Sequence, residues 1–126
     1  MVSLIFIFLA AVCNSIMDKL QFHFSKSVFS ASNSSWWDPS TSWRNKWKNG
    51  DSKQGEKFFG SSTIFVFTTD AWHFFQSLML LFFTCAVVSY NPIFNFKASF
   101  VVDAVIYRVL FGVVFELFWK YVWRKR

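Results

Sequence analysis

Charge is scarce in this sequence. Only 16% of the 126 residues are charged, and seven acidic residues face thirteen Lys and Arg. With 54% of residues apolar, 23% aromatic and 19 of them Phe, a soluble fold of this length has too little interior to hide the apolar surface. Cysteine is scarce too. Cys13 and Cys85 both lie inside hydrophobic runs without metal-ligand spacing, which argues against a disulfide framework and leaves two small apolar side chains. The residues before Cys13 do not form a lipoprotein cleavage box and no basic residue precedes the first run, so that segment is expected to be retained. Internal repeats are lacking, and the one biased tract is Ser-rich, from Ser25 to Ser35.

What is present is three long apolar runs. The spacing predicts membrane-spanning helices at about 2–23, about 62–90 and about 100–122, each near the roughly 20 residues that a span needs. Asn91-Pro92 closes the second, and Trp123-Arg124-Lys125-Arg126 anchors the end of the third. The net charge of +6 gathers at 38–57 and after 119, beside the apolar runs. Anionic lipid headgroups are the simplest partner for such patches, and nucleic acid is set aside.

Orientation follows from the cations. Lys26, Arg44, Lys46, Lys48, Lys53 and Lys57 lie in the 25–60 loop and Lys120, Arg124, Lys125 and Arg126 in the tail, whereas the 91–98 turn holds only Lys97. The positive-inside bias puts loop and tail in the cytoplasm and the N-terminus outside, as three spans require. Within the loop, Asp38-Pro39 reads as an N-cap with Pro at the first helical position, and Asn49-Gly50 reads as a stop. A short amphipathic helix at about 39–48 is expected on the membrane surface, with Trp43 and Trp47 on one face and Arg44 and Lys48 on another.

Ionisable groups within spans are costly unless paired or hydrated, so their alignment carries the most information. At about 100° per residue, Asn14, Asp18, Gln21 and Ser25 share a stripe of the first helix. Asp70, His73, Ser77 and Thr84 share one on the second, and Arg108, Gly112 and Glu116 share a face of the third with Trp119 and Trp123. Three facing polar seams are expected, with Asp18 and Glu116 within about 10 Å of the cytoplasmic surface, Asp70 about 12 Å in, and His73 and Arg108 near the midplane. Asp103 points elsewhere and is expected to snorkel or cap near the outer surface.

Asn14-Ser15-Ile16-Met17-Asp18, His23-Phe24, Ser27-Val28-Phe29, the Trp37–Trp47 segment and above all Asp70-Ala71-Trp72-His73 carry a resemblance. Over roughly 10–80 the chain resembles a group of small, uncharacterised bacterial integral membrane proteins. The resemblance implies no activity, fold or cofactor, and directs attention to Asn14, Asp18, Asp70 and His73.

The expected fold is therefore all-α, a three-span bundle in the bacterial inner membrane, and the expected chemistry lies in a cytoplasm-facing pocket. Asp18, Asp70, His73 and Glu116 are the candidate catalytic groups, with Asn14, Gln21 and Ser77 as supporting polar residues. Asp18, Asp70 and His73 also offer a ligand set for Mg²⁺, Mn²⁺ or Zn²⁺, while Arg108, Arg44 and Lys48 are suited to a phosphate or lipid headgroup. Three readings are open: a metal-assisted or acid–base enzyme acting on a lipid or polyprenyl headgroup, an oligomeric proton- or ion-coupled carrier or channel, and an accessory subunit without chemistry. In the plainest reading of the same residues, Asp18 and Asp70 pair with Lys19, His73 or Arg108 to hold helices together. A homo-oligomer in contact with membrane lipids is expected because so small a bundle leaves polar seams uncovered.

Overall fold

The structure, a computed structural model, describes residues 1–96 and 99–125, so Lys97 and Arg126 of the charge count lie outside the described residues. It is all-helical. The described residues form α1 (Val2–His23), α2 (Ser34–Trp37), α3 (Pro39–Ser42), α4 (Ala71–Val88) and α5 (Ser99–Leu117), joined largely by 3-10 turns.

The first helix occupies the middle, with α4 and α5 each packed mainly against it. Its contact faces combine Ile7, Ile16, Met17 and Leu20 with small side chains. Ala10, Ala11 and Ser15 are fully buried on α1, Ala71 and Ala86 are the buried residues of α4, and short side chains of this kind let helix backbones approach closely. The polar stripes expected to face one another lie instead at the edges. Gln21, Ser25, Thr84, Arg108 and Glu116 are exposed, and Asn14, Asp18 and Ser77 are half-buried. The reason is steric, since alanine and serine fit a close helix crossing that long polar side chains would hold apart.

Two helices are long and apolar enough to cross a membrane, the first helix with its extension (Val2–Lys26) and α4. Only 11% of the α4 span is buried, against 50% of the first, so α4 is apolar on the outside rather than a concealed core helix. By composition α5 does not qualify, because Asp103, Arg108 and Glu116 are strung along it. Its outward face is nevertheless apolar, with Val101, Val105, Val109, Val113 and Leu117 exposed at four-residue spacing.

The second long helix starts at Ala71, not near 62. Residues 60–69 are turns, held by Thr68 and Thr69 hydroxyls that donate to the carbonyls of Phe65 and Val66 at 2.8 and 2.7 Å. Side chains that bond their own backbone in this way compete with helix formation. Asp70, extended at φ −158° and ψ 161°, then caps the helix. Asp70 and His73 consequently stand at the cap and first turn of α4 rather than well inside the helix.

The loop helix expected over 39–48 is also shorter. It starts as expected, with Pro39 at the first turn and the Ser40 N–H donating to Asp38 Oδ1 at 2.9 Å. After α3 a 3-10 turn runs through Trp43–Lys46, and Trp47 is extended. Backbone pairing with the returning chain ends the helix there: Lys48 N–H donates to the Gly55 carbonyl at 3.0 Å and Lys57 N–H to that of Lys46 at 2.9 Å. Asn49 and Gly50, with φ of 51° and 74°, sit in the turn of this hairpin rather than at a helix end. Trp43 and Trp47 therefore share no helical face.

Glu56 fastens the hairpin to the approach to α4. Its carboxylate accepts from the Ser62 hydroxyl, the Gly60 N–H at 2.9 Å and the Ser62 N–H at 3.1 Å. These bonds, the Ser62 hydroxyl first, favour the ionised form and hold Glu56 below its ordinary value of 4.5. A depressed carboxylate stabilises the fold above its unfolded value and ceases to do so as pH falls through its folded one. The Gly60 and Ser62 amide resonances should accordingly titrate together with a midpoint below 4.5, a value at or above the ordinary one being incompatible with these bonds.

Candidate functional site

Asp70 is only 2% exposed, and both of its carboxylate oxygens have hydrogen-bond partners. Its Oδ1 accepts from the His73 backbone N–H at 2.9 Å, which satisfies one of the free donors at the start of α4. The same carboxylate meets the imidazole, Oδ2 standing 2.7 Å from Nδ1 and Oδ1 2.9 Å from it. A carboxylate can only accept, so in the neutral ring Nδ1 carries the proton and Nε2 presents a lone pair.

The pair is held from two sides. Asn45 Nδ2 donates to the carbonyls of Ser35 and Thr69 at 2.6 and 2.8 Å, tying the loop to the residue before Asp70. Beneath, Ala71 belongs to a buried cluster with Ile16 and Leu20 of the first helix, onto which Trp36, Trp37, Phe75 and Trp123 pack. This packing seats the first turn of α4 against α1.

His73 opens onto a cavity of about 460 Å³ that Asp70, Asp38, Gln21, Trp43 and Trp72 also line. Asp38, read from sequence only as a cap, thus borders the site as well. Among the described residues no Lys or Arg lines the cavity. Arg44 reaches its rim indirectly, with its guanidinium 5.4 Å from the Trp43 ring centre, and Lys48 is exposed on the hairpin.

The other expected members are elsewhere. Asp18 accepts from Trp119 Nε1 at 2.7 Å, and neighbouring Trp123 Nε1 donates to Ser15 Oγ at 2.9 Å, so these indoles clamp the end of α5 onto α1. Lys19, buried rather than paired with Asp18, donates to the Trp119 carbonyl at 2.9 Å and lies 3.8 Å from the centre of that indole. A π-turn over Phe118–Val122 brings the two tryptophans to this face, a change of pitch that α-helical spacing did not forecast. Asn14, Arg108 and Glu116 line a separate cavity of about 400 Å³. Ser77 lies one turn beyond His73 and borders neither cavity.

The proposed ion ligands Asp18, Asp70 and His73 are therefore not gathered. Among the described residues no three His, Cys, Asp or Glu side chains are grouped to hold a metal. What the arrangement can do without one is accept and return a proton at Nε2 beside a carboxylate that stabilises the imidazolium. No family model, curated protein or solved structure matches the chain.

The double duty of Asp70 has a measurable cost. Asp70→Ala removes the cap and should lower unfolding stability by about 1 kcal/mol or more, while Asp70→Asn, which keeps an acceptor for the His73 N–H, should lose less. Chemical denaturation of the two variants checks this, and equal losses would show that the cap does not carry the stabilisation.

Proposed function

We propose that this protein is a three-span protein of the bacterial cytoplasmic membrane whose Asp70–His73 pair carries out acid–base chemistry on a lipid or polyprenyl headgroup. The observation that carries the reading is the 2.7 Å contact between a buried carboxylate and an imidazole that opens onto a cavity.

Membrane residence is supported by the outward apolar faces of α4 and α5, since soluble monomers rarely expose patches of that extent. In this reading α5 is the third span, with the N-terminus outside and the loop and C-terminus cytoplasmic. The resemblance to small bacterial membrane proteins is the ground for the compartment. Exposed Arg108 and Glu116 within a span favour self-association, because charge facing hydrocarbon is costly.

The start of α4 then lies at the cytoplasmic interface, where a headgroup can reach it from the bilayer. His73 Nε2 removes the proton from a water or headgroup hydroxyl as that oxygen attacks an ester, and returns it to the departing oxygen. Asp70 keeps the ring oriented and offsets its transient positive charge. Asp38 and Asp70 make the depth of the cavity unwelcoming to an anion, so the headgroup phosphate is held at the rim near Arg44, where its departing ester oxygen takes the proton back from His73.

A purely structural role for Asp70 is the rival, and His73→Gln separates the two because Asp70 still caps α4 through the backbone. With phospholipid and polyprenyl phosphate substrates in mixed micelles, headgroup turnover should fall by about 100-fold or more with stability nearly unchanged. Undiminished turnover in that variant, or none by the unaltered protein, contradicts the proposal.

A further inference from the structure

A second buried carboxylate stands at the other end of α4, far along the bundle from His73. Asp103 on α5 is 1% exposed. Its Oδ2 accepts from the Tyr90 hydroxyl at 2.6 Å and from the Ile93 N–H at 3.1 Å, which fastens the chain leaving α4 to α5. Its Oδ1 is equally buried, yet no described residue donates to it. The fastening thus uses one oxygen and leaves the other, among the described residues, without a donor.

Asp103 also lines a cavity of about 350 Å³ between α1, α4 and α5. Tyr90 and Tyr107 form part of its wall, their rings edge to face with centres 6.2 Å apart, and the Tyr107 hydroxyl is already engaged with Ser3 Oγ at 2.6 Å. The rest is apolar, with Ile7, Phe83 and Val87 among the lining residues. The volume falls within the range of small-molecule pockets.

We infer that this cavity binds a protonated alkylamine, with its ammonium donating to Asp103 and its hydrocarbon chain lying against the apolar wall. An ammonium supplies both things that the carboxylate lacks, an N–H donor for Oδ1 and a compensating charge. The tyrosine faces add attraction for a cation. A carboxylate ligand is repelled by Asp103, and an alcohol of equal length donates a hydrogen bond without balancing the charge. The site shares no residue with the Asp70–His73 cavity, so its occupancy is independent of the chemistry proposed there.

Hexylammonium, hexanol and hexanoate, titrated calorimetrically into the purified protein in phosphatidylcholine nanodiscs with empty nanodiscs as reference, test this. One saturable site for hexylammonium is expected, with hexanol and hexanoate at least tenfold weaker. Asp103→Asn should weaken hexylammonium at least tenfold. Ala104→Leu should do the same by filling the cavity from an exposed position that leaves Asp103 in place, and it decides the matter if Asp103→Asn does not fold. Equal affinity for hexanol, no saturable site, or unweakened binding to a folded variant overturns the inference.

Discussion

A carboxylate taken out of water has to be met by donors, and Asp70 is met by the helix that it begins. One side chain closes the open N–H end of α4, fixes where the apolar helix starts, and holds the imidazole of its first turn. These effects cannot be separated by geometry, since the carboxylate that caps the backbone is the one that faces the ring. A pair placed in this way is as rigid as the helix that carries it.

That rigidity in turn depends on how α1 is packed. Small residues at Ala10, Ala11 and Ser15 permit a close crossing, and the aromatic cluster over Ile16 and Leu20 fills the space under the first turn of α4. The tryptophans that bind Ser15 and Asp18 complete the clamp from α5. Polar groups on α1 thus serve packing at one edge, while the loop and α4 hold the Asp70–His73 pair at another. Neither arrangement requires the three polar seams to converge.

The helical character of the chain was legible, and α1 follows its apolar run to His23 as the pattern indicates. Periodicity also found the Asp70–His73 pairing, because an i,i+3 spacing holds at the first turn as well as in mid-helix. It put the pair inside a longer helix instead of at the start of a shorter one. The run from 62 is apolar enough for a span, but threonine hydroxyls and the left-handed Gly60 turn its first part into loop, and hydropathy does not register those contacts. Asp18 stands apart from the Asp70–His73 cavity because its carboxylate is engaged by Trp119, 101 residues away, a pairing that local spacing does not reveal. The closeness of Asp38 to His73 likewise depends on how the loop folds back, although the Asp38-Pro39 cap itself was plain in the sequence. Pairing within the 46–57 hairpin involves backbone groups, which leave little trace in residue identity.

Base chemistry at His73 depends above all on which of its ring nitrogens carries the proton. Imidazole ¹⁵N resonances of the labelled protein, recorded under conditions where the ring is neutral, report this directly. A protonated Nδ1 with an unprotonated Nε2 is the predicted result, unchanged in His23→Gln, which removes the only other histidine. A proton on Nε2 instead would mean that Asp70 does not hold the ring and that no base faces the cavity.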